Sequence, residues 1–181
     1  MPPDADAAVA RARALFLDRR NIHGCAETTY LVLCEGLGVG DPADSSPAMA
    51  LNGGIAYSGG MCGAISGAAI ALGLLAGRRI RDHRTAKRVA RELTADLMDG
   101  FRDEHGAVDC RDLIGIDLRA PGAHRAFIRS GAWQDRCMRQ VEFAIRAVLP
   151  LADDAAWDAA VRGILGTEDD AARGPGRETS T

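Results

Sequence analysis

Aromatic residues are scarce, at 4% of 181 residues in a chain that is 47% hydrophobic. That scarcity excludes a core of stacked rings and leaves Ala, Leu, Val and Ile to fill it, which suits closely packed helices. Surplus charge of one sign is missing too. The formal net charge is −3, so no strong positive field exists to attract nucleic acid. Bases do gather in RRIRDHRTAKRVAR (78–91), but acidic and apolar residues interleave with them, which fits a solvated helix start better than a phosphate-binding patch. No apolar signal-peptide core is visible, because MPPDADAAVARARALFLDRR carries acids and arginines where one would lie; a cytoplasmic location is expected. One uncharged run, MCGAISGAAIALGLLAG (61–77), holds Gly63 and Gly67 at GxxxG spacing. It falls short of the ~20 residues a span needs and is rich in Ala and Gly, so it reads as a buried central helix.

Other absences narrow the chemistry. There is no CxxC pair, which excludes a thioredoxin motif or a zinc ribbon, and no CxxCH for covalent haem. Nucleophile elbow, phosphate loop and dinucleotide fingerprint are all missing; NGGIAYSGG (52–60) has neither the preceding strand nor the glycine spacing. Without internal repeats or alternating strand patterns, the expected fold is all-α: a single-domain bundle of about five to seven helices around a buried Ala/Gly-rich central helix.

Apolar spacing predicts helices over residues 5–19, capped by Asp4 or Asp6, and from about Cys25 to Leu37. A loop over 38–47 and a short helix over 47–52 precede the central helix, which runs from Met61 to Ala76 with Gly77 as its cap. Ala86, Val89, Ala90, Leu93, Leu97, Met98 and Phe101 form one stripe of a long helix over 83–104. CRDLIG (110–115) follows Asp109 as a short helix. Residues 122–149 read as one helix stopped by Pro150, and 153–165 as the last. The helical domain is thus 1–165, and 166–181, which lacks Leu, Ile, Val and aromatic residues, is expected to be a disordered tail.

Five cysteines in a reducing compartment point to metal binding or redox work more than to a disulfide scaffold. Cys25, Cys62 and Cys110 fall at predicted helix N-termini, where free backbone N–H groups favour a thiolate. Small neighbours around Cys62 leave room for something to touch its sulfur. Cys34 sits on the opposite side of Cys25's helix and reads as a core residue. Cys137 lies inside a helix. His23 and His105, near Cys25 and Cys110 in sequence, are possible extra ligands or proton donors, but solvated surface histidines fit better; His83 and His124 carry no signal.

GCAE (24–27), CGAISGAAIALGLLAG (62–77) and FRDEHGAVDCRDLIG (101–115), followed by Cys137, resemble the redox-active family named for its pattern C_GCAxxG_C_C. The resemblance covers about 15–149. It implies that Cys25, Cys62, Cys110 and Cys137 are the family cysteines and Cys34 is extra. Similar sequence occurs in the iron–sulfur part of split-Soret cytochromes, which implies a cluster site here without the haem part. Two departures are a longer C-terminus and His23-Gly24 where an Asn often precedes the first cysteine. The implied function is redox chemistry at an iron–sulfur cluster of [2Fe–2S] type, for electron transfer or sensing, held by three or four of those thiolates. The alternatives are a cluster-free dithiol/disulfide protein and a zinc or soft-metal site. Cys62 is expected at the centre, with Cys25 and Cys110 its nearest partners. The expected partners are a redox protein and, through the Gly63/Gly67/Ala71 face, a second copy of the chain; no membrane or nucleic acid is expected.

Overall fold

The computed structural model describes residues 4–172, with side chains to residue 166. Among these residues the chain forms eight α-helices and no strand. The helices are α1 (Ala5–Phe16), α2 (Cys25–Leu37), α3 (Gly63–Arg79), α4 (His83–His105), α5 (Cys110–Ile114), α6 (Ala123–Ser130), α7 (Trp133–Val148) and α8 (Asp154–Ala172). Two 3-10 turns, Ser46–Leu51 and Leu149–Ala152, join them. No helix among the described residues is long and apolar enough to cross a membrane.

Local chemistry explains the starts and stops. Asp4 opens α1 by accepting hydrogen bonds from the Asp6 and Ala7 N–H groups, and Asp82 opens α4 by accepting from Thr85 N. In the α4 stripe Ala86, Val89, Leu93, Leu97 and Phe101 are buried, and Ala90 and Met98 at its edge are half-buried. Gly77 does not cap α3; the helix continues to Arg79 and ends where Ile80 turns extended. The single helix expected over 122–149 is two, because Gly131 takes φ 71 between α6 and α7. Pro150 lies in the 3-10 turn after α7. The last turns of α8 fall in the stretch that the composition marks as a tail; residues 173–181 lie outside the described residues.

Two helices share the centre. In α2 every residue from Ala26 to Cys34 is buried, more completely than in α3, whose Gly73, Leu74 and Gly77 face outward. α2 and α3 form the most extensive helix pair, because Gly63 and Gly67 bring α3 against the α2 backbone. Gly63 and Gly67 of the small-residue face are therefore covered within the chain, by α2.

Candidate functional site

Three helix starts meet at one place. Cys25 is the first residue of α2, Cys62 the N-cap of α3, and Cys110 the first residue of α5. Backbone hydrogen bonds hold the last two side by side: Cys62 N donates to Val108 O (2.8 Å) and Cys110 N to Gly60 O (2.7 Å). Cys137 joins them from the second turn of α7. The Cys25 sulfur rests on Gly63, where a Cβ would stand 2.4 Å from it. The glycine beside Cys62 is thus the space that another cysteine's sulfur occupies.

The Cys25 turn is held by a buried acid. Glu27 accepts hydrogen bonds from Gly24 N (2.9 Å), Asn52 Nδ2 (2.8 Å) and Ser45 Oγ (2.9 Å), so its carboxylate is satisfied away from water. Asn52, oriented by Glu27, accepts from Ala26 N (3.0 Å) and places Oδ1 3.9 Å from the Cys25 sulfur. It fills the place a side chain at Gly24 would take: a Cβ there would sit 2.2 Å from Asn52 Oδ1. Beyond Asn52, the N–H of Gly53 joins those of Cys25, Ala26 and Gly63 around the Cys25 sulfur.

Cys25, Cys110 and Cys137 line a cavity of about 150 Å³, walled by Phe16 and Trp133 and bordered by Tyr57 and His124. Phe16 meets Trp133 edge-on at 5.1 Å, and Trp133 Nε1 donates to Ile128 O. Cys62 lies deeper and donates to Gln140 Oε1 (3.6 Å). All four thiols lie within electrostatic reach of one another, Cys62 with each of the other three and Cys25 likewise. Cys34 stands apart, against the Tyr30 hydroxyl and Gly40. His105 is packed against Phe101 and Phe143 (ring centroids at 4.5 and 5.4 Å), and neither it nor His23 lines the cavity, whereas the unflagged His124 does.

The expectation that helix ends favour thiolates meets an opposing effect. Burial pushes the Cys25 thiol up despite the N–H groups around it. It raises Cys62 strongly and Cys110 to about 12, with the Cys25 charge adding to both, and raises Cys137 as well. Desolvation outweighs the helix ends, and without a cation these are protonated thiols at neutral pH. The sign for stability follows. A thiol whose pKa is higher folded than unfolded loses its contribution as the unfolded chain ionises, so stability falls as pH rises. For Cys110 the window runs from the ordinary 9.0 to about 12. In metal-free protein the melting temperature is expected to drop across that window, and less in Cys110→Ala; thermal melts at stepped pH check it.

The five cysteines are free thiols, and among the described residues no group of three or more His, Cys, Asp or Glu side chains is arranged to hold a metal ion. The fold and site define the class: an all-α protein with four cysteine thiols gathered from separate segments, three of them lining one cavity. The family model described as "Putative redox-active protein (C_GCAxxG_C_C)" matches residues 23–150, and the chain belongs to that family. Neither a curated protein nor a solved structure matches it.

Proposed function

We propose that Cys25, Cys62, Cys110 and Cys137 hold an iron–sulfur cluster of [2Fe–2S] type, through which the protein transfers or senses single electrons. The observation that carries this reading is the gathering of four thiols, Cys62, Cys110 and Cys137 buried and Cys25 half-buried, at a cavity that three of them line. One other supports it: thiols with raised pKa values are poor nucleophiles for disulfide exchange, whereas iron displaces their protons.

When bound, such a cluster supplies a reversible one-electron couple. The chain does the rest. N–H groups of Gly53, Ala26 and Gly63 offset negative charge at the Cys25 sulfur. Phe16 and Trp133 exclude water on one side, and Gln140 fixes Cys62 on the other. The test is the visible spectrum of anaerobically purified protein during stepwise reduction. Absorbance that bleaches with one electron per chain and returns on oxidation is the expected result. A colourless protein, indifferent to reductant, would overturn the proposal.

A further inference from the structure

Three of the five exposed large hydrophobic residues among those described are Ile22 (52% exposed), Ile55 (50%) and Tyr57 (41%). Ile22 and Tyr57 line the cysteine cavity itself. Ile55 and Tyr57 are presented by an unusual turn. Residues 53–57 all have positive φ, and in Ile55, Ala56 and Tyr57 the values are 63, 50 and 61°. Non-glycine residues rarely take this left-handed conformation, and a β-branched Ile is an outlier there. The surrounding structure holds them: Tyr57 packs on His124 (4.6 Å between centroids), and Arg119 donates to Ala56 O. The strained turn brings Tyr57 to the cavity that three of the sulfurs line.

Charge around the same mouth runs against the rest of the molecule. Residues 19–25, 49–60 and 118–134 contain Arg19, Arg20, Arg119, Arg125 and Arg129 and no acidic residue, in a chain of net charge −3; Glu27, which also lines the cavity, is taken up by Gly24, Ser45 and Asn52. Arg20 pairs with Asp18, and the flanking Asp117 with Arg111. Arg19, Arg119, Arg125 and Arg129 are exposed and have no ion-pair partner among the described residues.

We infer that this face docks an acidic one-electron carrier protein: its acidic rim meets the arginines, its apolar contact covers Ile22, Ile55 and Tyr57, and its redox group lies above Cys25, Cys110 and Cys137. One electron would pass from the reduced carrier, which is oxidised, to the iron–sulfur cluster that the four thiolates would hold, reducing it by one; no proton or bond is exchanged. The inference rests on the redox reading of the centre. Docking itself is therefore read separately, on the oxidised protein and on the metal-free full chain.

The experiment is calorimetric titration with an oxidised acidic ferredoxin and, in parallel, with basic cytochrome c as the probe of opposite charge. Ferredoxin is expected to bind, with affinity falling about tenfold between low and near-physiological salt. Arg125→Glu/Arg129→Glu, which removes no side-chain hydrogen bond among the described residues, should weaken it about tenfold again. Lys87→Glu, on the groove between α3 and α4, should leave it unchanged. Preferential binding of cytochrome c would show that net charge rules and overturn the inference. Failure of ferredoxin to bind, an equal loss in Lys87→Glu, or self-association of the chain through this face would overturn it as well. Binding by the metal-free chain in a protein that takes up no cluster would sustain the docking face while removing the cluster.

Discussion

Gly67→Leu is expected to cost about 3 kcal/mol or more, at the upper end of overpacking effects, and to lower the melting temperature by roughly 6–12 °C. A Cβ at Gly67 would stand 2.3 Å from Ala26 O and 3.1 Å from Tyr30 N. Both atoms belong to the α2 backbone, which cannot swing aside as a side chain does. α2 and α3 would have to separate, and with them Cys25 and Gly63. Gly67→Ala should show much of the same loss, although alanine gains about 1 kcal/mol in helix propensity. Gly73→Ala is the control: a Cβ there meets nothing within 4 Å, so the propensity gain stands alone and the protein should melt no lower. A Gly67→Leu variant melting with the parent would contradict the packing described.

Cys25→Ser should reduce visible absorbance to that of the metal-free chain. The Cys25 sulfur sits on Gly63 among four backbone N–H groups, and its charge acts on each of the other three thiols. Serine keeps the shape but replaces a soft thiolate with a hard, weakly acidic hydroxyl. Cys62→Ala and Cys110→Ala should follow, and Cys137→Ala, which also opens the cavity toward Trp133. Cys34→Ser is the contrast, because Cys34 packs with Tyr30 away from the centre. It should keep full absorbance while losing some stability. Equal spectra in Cys25→Ser and the parent, or a loss confined to Cys34→Ser, would show that the chromophore lies elsewhere.

Helices with a one-sided apolar stripe, α4 above all, were legible because burial on one face repeats at helical spacing. The placement of Cys25, Cys62 and Cys110 at helix starts was legible from the glycine and Asp109 before them. What needed the fold was everything made by contact across the chain. Nothing local marks Asn52 as the residue that fills the Gly24 gap, or Glu27 as buried, since a Glu near a helix start is common on surfaces. Gly53 and Gly54 announce a turn, but no preference of Ile55, Ala56 or Tyr57 announces positive φ. The small neighbours around Cys62 were legible too, but not what fills the space beside it: the Cys25 sulfur, from a residue far away in sequence.

The most direct test of a cluster-holding cysteine centre is iron, zinc and acid-labile sulfide per chain in anaerobically purified protein, beside Cys25→Ser prepared identically. The account predicts about two iron and two sulfide per chain in the parent, and neither in the variant. One zinc per chain, or no metal with two thiols lost cleanly on mild oxidation, would contradict it.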